Sequence, residues 1–221
     1  MTDVKILATG LGFPEGPVAL ADGSVVLTEI RNQRCSRVTP DGEVGTFSEC
    51  GGGPNGLAIG PDGCFYLCNN GGSRYADGHS MGLGPHPDYK FGYIQRIDPE
   101  TGGTKLLYKE VGGHRLSAPN DLVFDKEGGF YFTDLGKRFR RHRDNGGVYY
   151  ALPDGSKIVE VARMAVGCRR TARRSMSPTP RVPGCGHSRC RAPASSNPRT
   201  SSRRTAAGWS RVSAGTHGLT A

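Results

Sequence analysis

The sequence predicts an all-β chain built from repeated four-stranded units. Three observations lead there. One pattern (Pro, a polar residue, Gly or Asp, an apolar run, a Gly-containing turn, a second apolar run) occurs three times. The copies are PEGPVALADGSVVLTEI from Pro14 to Ile30, PNGLAIGPDGCFYLCNN from Pro54 to Asn70, and PNDLVFDKEGGFYFTDLG from Pro119 to Gly136. They start 40 and 65 residues apart, and self-similarity at such a period marks a repeat architecture. Each copy is followed by alternating apolar residues around a Gly-containing turn, which is the signature of a hairpin. Little of the chain has the apolar period of an amphipathic helix.

The first unit continues as RCSRVTPDGEVGTFSE from Arg34 to Glu49, turning at Pro40-Asp41-Gly42. The second continues as GYIQRIDPETGGTKLLYKEV from Gly92 to Val111, turning between Pro99 and Gly103. The third continues as GGVYYALPDGSKIVEVA from Gly146 to Ala162, turning at Pro153-Asp154-Gly155. An inner pair of strands followed by an outer pair, four in forty-odd residues, is one blade of a β-propeller. Three blades follow, at about 12–50, 54–111 and 119–162, within a region 1–163. The polar residue after each Pro (Glu15, Asn55, Asn120) then holds an equivalent place, and equivalent places in a circular repeat converge on one axis. The second unit carries an insertion from Gly71 to Gly92, rich in Gly and His and without periodicity. A connection that long is either functional or disordered; it is read as a substrate-covering loop or as plain surface.

Composition divides the chain in two. Residues 164–221 hold 11 Arg and no Lys, Asp or Glu, which leaves 18 basic and 20 acidic residues, net −2, in 1–163. The 164–221 segment has no Ile, Phe or Tyr and one Leu, Leu219. It cannot bury enough apolar surface to offset the roughly 1–2 kcal/mol per residue of backbone ordering, so disorder is expected. A nucleic-acid-binding arm is the alternative for such a segment, but Lys and interleaved aromatics are missing. No run reaches the roughly 20 apolar residues of a membrane helix, and the N-terminus lacks a signal-peptide pattern; a cytoplasmic protein without membrane partners is expected. The seven Cys are read as reduced, structurally incidental thiols. GGGPNG at 51–56 lacks the strand–helix context and the Lys of a phosphate loop. RRHR at 140–143 reads as an exposed loop.

FPEGP at 13–17, PNGLAIGPDG at 54–63 and APNDLVFDKEGGFYFTD at 118–134 resemble the senescence marker protein / gluconolactonase / luciferin-regenerating enzyme family. The resemblance covers residues 1–162 and implies the N-terminal half of a six-bladed propeller with a divalent metal in its central channel. Family members hydrolyse lactones, and relatives hydrolyse organophosphates. The resemblance implies Glu15 and Asn120 as metal ligands, and Asn120 with Asp121 as substrate-facing residues. No metal role is transferred to Asn55. The family's Asp that serves as general base, and its Asn in a fourth Pro-Asn-Gly, have no counterpart here, so no catalytic residue is assigned. Carboxylate and amide oxygens suit Ca²⁺ first, with Zn²⁺, Mg²⁺ or Mn²⁺ as alternatives. The implied substrate is a small lactone or ester. In the family the segment around Val4 to Ala8 completes the last blade.

The Arg-rich segment has a reading unrelated to function. Back-translated with free third bases and shifted by one nucleotide, residues 168–188 permit LSPDGATLYVADTPRARLWAF, another copy of the chain's own pattern. The second base of each shifted codon is largely fixed by the observed residue, and it decides apolar against polar. Residues from about 164–168 onward are therefore expected to be out of frame, and the chain itself to be truncated relative to the family and inactive. An oligomeric state is not predicted.

Overall fold

The computed structural model describes residues 4–77 and 81–164. The Arg-rich segment beyond them, with the expectations of disorder and of a shifted frame, lies outside the described residues.

Three antiparallel four-stranded sheets follow one another, each with its strands in sequence order. The first contains β1 (Pro14–Ala19), β2 (Val25–Glu29), β3 (Arg34–Val38) and β4 (Val44–Glu49). The second contains β5 (Pro54–Ile59), β6 (Phe65–Asn69), β7 (Tyr93–Ile97) and β8 (Thr104–Tyr108). A short hairpin of β9 (Glu110–Val111) and β10 (His114–Arg115), absent from the sequence reading, precedes the third sheet. That sheet contains β11 (Pro119–Phe124), β12 (Phe130–Asp134), β13 (Gly146–Ala151) and β14 (Ile158–Met164). No helix occurs among the described residues. This is the all-β, propeller-type architecture that the repeat predicts.

The blades pack face to face in chain order. Val26, Cys35, Leu57, Phe65, Leu67 and Ile97 form one core between the first and second sheets. Tyr66, Cys68, Ile94, Leu122, Phe130 and Phe132 lead a second core between the second and third. Every residue of β6 is buried, because a neighbouring sheet covers each of its faces. A strand buried on both sides reads as a continuous apolar run, as FYLC does. The outer edges are tied as well: Ser48 Oγ donates to Gly102 O at 2.7 Å, and Tyr108 Oη donates to Leu152 O at 2.6 Å. Cys35, Cys50, Cys64 and Cys68 are all buried free thiols. Residues 4–12 form no strand, and Val4 and Ile6 are exposed.

Candidate active site

The three Pro-X-Gly/Asp segments are brought together by a device that repeats. β1, β5 and β11 each pair with the following strand through an interrupted register, between Glu15 and Val18, Pro54 and Leu57, and Pro119 and Leu122. Such an irregularity re-aims side chains at a strand's start. The Thr28 hydroxyl on β2 lies 2.9 Å from Glu15 O and 2.7 Å from Asn55 O, sharing its proton between two blades. Gly16 has φ +49°, and a Cβ there would lie 2.6 Å from Asn55 O. A Cβ on Gly56 would lie 2.5 Å from Asp121 Oδ1 and 2.6 Å from Asn120 O. Glycine in PEG and PNG is thus set by the approach of the next blade's inner strand. The third copy carries Asp121 at this position, and its carboxylate covers Gly56.

A second recurring group fixes the loops that enter these strands. Glu29, Asn69 and Asp134 end the second strand of each blade and are buried. Glu29 accepts from Gly12 N at 2.5 Å, Arg34 Nε at 2.9 Å and Ser36 Oγ at 2.6 Å. Burial opposes its ionisation, but the bonds from Ser36, Gly12 and Arg34 outweigh burial and hold its carboxyl below the usual range. Asn69 Oδ1 accepts from Gly53 N at 2.8 Å and Gly71 N at 3.0 Å. Asp134 accepts from Ser117 N and Ala118 N, both at 2.7 Å, and from Gly136 N at 2.8 Å. These groups hold the backbone before Pro14, Pro54 and Pro119. Sequence reasoning passed over them, although TEI, CNN and TDL recur at the same place in the three copies.

The Gly71–Gly92 insertion stands opposite the β12–β13 connection, and between them lies a cleft of about 940 Å³. This size sits at the upper end of the ~300–1,000 Å³ range of small-molecule pockets. Asn55 and Asn120 line it, joined by Asn55 Nδ2 donating to Asn120 Oδ1 at 3.1 Å. The insertion folds back on itself through Arg74 N to Gly84 O at 2.9 Å and Leu83 N to Arg74 O at 2.8 Å. It thereby supplies one wall of the cleft. Lys137, immediately after β12, is buried in the cleft. Its Nζ donates to Asn70 O at 2.8 Å and Asn70 Oδ1 at 3.2 Å, and lies 4.9 Å from the Tyr89 ring centroid. Burial pushes this amine down to about 8, against a smaller upward pull from Asp134. Of RRHR at 140–143, Arg140 and Arg143 are exposed, as the sequence predicts, and also line the cleft.

The expected site residues fall into two places. Asn120 reaches the cleft. Glu15 is exposed on the far side of Asn55, in a smaller depression with Leu11, Phe13 and Arg31. Asp121 is exposed; its Oδ1 accepts from Leu122 N at 2.9 Å and does not line the cleft. Among the described residues no group of three or more His, Cys, Asp or Glu is placed to hold a metal.

Three comparisons bear on this arrangement. A gluconolactonase of Zymomonas mobilis is 26% identical over 175 residues, covering 70% of this chain and 44% of that protein. Lactonase drp35 of Staphylococcus saprophyticus is 38% identical over 72 residues, covering 32% of this chain and 20% of that protein. A solved structure from Xanthomonas campestris, described as a gluconolactonase, superimposes with a TM-score of 0.52 at 24% identity, covering 71% of this chain and 49% of that one; the likeness supports the fold. The chain spans about half the length of these two larger matches. The family model described as SMP-30/Gluconolactonase/LRE-like region matches residues 13–169. With its blades, its converging Pro-X-Gly/Asp segments and that match in hand, the chain belongs to the SMP-30/gluconolactonase/LRE-like family.

Proposed function

We propose that this chain carries the first half of a metal-dependent lactonase site, and that the intact site opens a sugar lactone or related ester. The observation that carries the reading is the hydrogen-bonded pair Asn55–Asn120 lining the cleft, on inner strands that the family match covers. Amides there can accept from a sugar hydroxyl and donate to a ring or carbonyl oxygen, which orients a lactone without chemistry of their own.

The donor chemistry suits a hard cation. Glu15, Asn55, Asn120 and Asp121 offer oxygens only, and no His or Cys cluster competes among the described residues. Glu15 and Asn120 are the proposed ligands of the intact site, although in this chain they line separate depressions and do not together form a cation site. A divalent cation, Ca²⁺ in the first place, supplies Lewis acidity toward the lactone carbonyl. Two protein ligands, with at most three side-chain oxygens, fall short of the roughly 6–8 that Ca²⁺ takes, and among the described residues no Asp or Glu that could serve as general base lines the cleft. The 221-residue chain is accordingly proposed to be inactive: no D-glucono-δ-lactone hydrolysis above the metal-free background is expected from it.

The test is proton release from D-glucono-δ-lactone by a protein whose frame after codon 167 is restored. Turnover lost on chelation and in Glu15→Gln is the expected outcome. Turnover unaffected by both overturns the metal role, and absence of turnover overturns the lactonase reading.

A further inference from the structure

Among the described residues, five Arg and Lys side chains line the cleft, namely Arg74, Lys137, Arg138, Arg140 and Arg143, together with His86, and no Asp or Glu does. Elsewhere on the blades four of the seven described arginines form ion pairs, while Arg31, Arg115 and Arg141 form none. Arg34 pairs with Glu29, Arg37 with Asp22, Arg96 with Asp62, and Arg163 with Glu160. None of the five cleft cations has a carboxylate within salt-bridge distance among the described residues; the ion pair at the cleft joins His86, which lines it, to Asp88 at 3.6 Å. Two acids flanking the β12–β13 connection are already engaged. Asp134 accepts three backbone N–H groups, and Asp144 accepts from Ser117 Oγ at 2.6 Å.

Lys137 makes the deficit sharpest. It is 6% exposed, and the partners of its ammonium are the neutral oxygens of Asn70 and Ser73. A buried cation without a counter-charge is costly unless something supplies one. Arg74 stands on the insertion, and Arg140 and Arg143 on the β12–β13 connection, so the cations come from both connections that line the cleft. Arginine forks at a cleft mouth suit planar or tetrahedral oxyanions.

We infer that the cleft takes a sugar-acid derivative carrying an oxyanion, a carboxylate or a phosphate, which meets Lys137 inside and the arginines at the rim. That the ligand is a lactone or its opened acid rests on the lactonase reading; the preference for an anion rests on the cleft alone.

Titration calorimetry on the full 221-residue chain tests it with three probes: D-glucarate, 6-phosphogluconate and the neutral polyol D-glucitol. Both anions, or one of them, are expected to bind roughly tenfold or more tightly than D-glucitol. The tighter anion identifies carboxylate or phosphate as the group recognised. Lys137→Met and, separately, the exposed Arg74→Gln are each expected to weaken the anion roughly tenfold. The rim variant guards against misfolding of the buried one. Equal affinity for anions and D-glucitol overturns the inference. So does anion binding that both variants leave unchanged, which would assign it to the arginines of 164–221. Binding is read without turnover. Turnover of a neutral lactone without anion preference removes this inference and keeps the lactonase reading; anion binding without turnover in the frame-restored protein does the reverse.

Discussion

Lys137 is the residue whose surroundings conflict most with its charge. Its amine is pushed down from 10.5 to about 8 by burial. The unfolded chain therefore holds this proton where the folded chain has lost it, between about pH 8 and 10.5, and the group's contribution to stability rises with pH across that window. NMR of reductively methylated protein is expected to show one lysine titrating near 8, absent in Lys137→Met; no such signal would mean that the amine is solvated. Glu29 has the opposite sign. Its folded carboxyl lies below its ordinary 4.5, so its contribution is complete above that value and is lost as pH falls through the folded one. The stability gap between the native chain and Glu29→Gln should narrow on acidification below about pH 4.5 and stay flat above it. A gap that widens there would contradict the clamp. For Asp134, whose two oxygens hold three N–H groups, Asp134→Asn is expected to cost about 1–3 kcal/mol in urea unfolding.

Among the elements, the inner strands show how a short motif encodes a contact between blades. Gly56 has no room for a methyl, since Asp121 Oδ1 and Asn120 O crowd the position. Gly56→Ala is expected to destabilise by about 1–3 kcal/mol and to disturb the Asn55–Asn120 pair. Gly45 on β4 has nothing within 4 Å and an ordinary φ, so Gly45→Ala should stay within about 0.5 kcal/mol of the native chain. Equal effects at both positions would refute the close-approach account. The main strands were legible because period-two alternation and Pro-Asp-Gly turns are local signals. The β9–β10 hairpin was not, although EVGGHR has the two glycines of a tight turn, with φ +54° and +82° at Gly112 and Gly113. Two-residue strands carry no period to read.

At the scale of the whole molecule, the third sheet presents Val123, Tyr131, Val159 and Val161 as exposed apolar residues. They lie on the face away from Phe130, Phe132 and Leu122, which pack on the second sheet. A sheet apolar on both faces is one that expects a neighbour on each. The proposed shifted-frame reading of residues 168–188 would encode such a neighbour. The nucleotides of codons 168–187 are expected, in that frame, to encode a Pro-Asp-Gly turn followed by apolar alternation, and then further blades. A gene whose shifted frame encodes neither would refute the frameshift, and the Arg-rich segment would need another origin.

The sequence by itself determined the all-β class, the four-stranded unit, its threefold recurrence and the family, because strand period, turn chemistry and repeat spacing are written along the chain. It also brought forward Asn55 and Asn120, whose equivalence is a matter of counting. Tertiary structure alone decided that these two amides touch while Glu15 stands apart, that Asp121 covers a glycine instead of facing the cleft, and that the Gly71–Gly92 insertion forms a wall. It alone gathered Arg74, Lys137, Arg140 and Arg143, from two connections more than forty residues apart, in one cleft. The physical reason is that a charge's meaning depends on which other charges share its low-dielectric surroundings. Folding sets that distance; spacing along the chain does not.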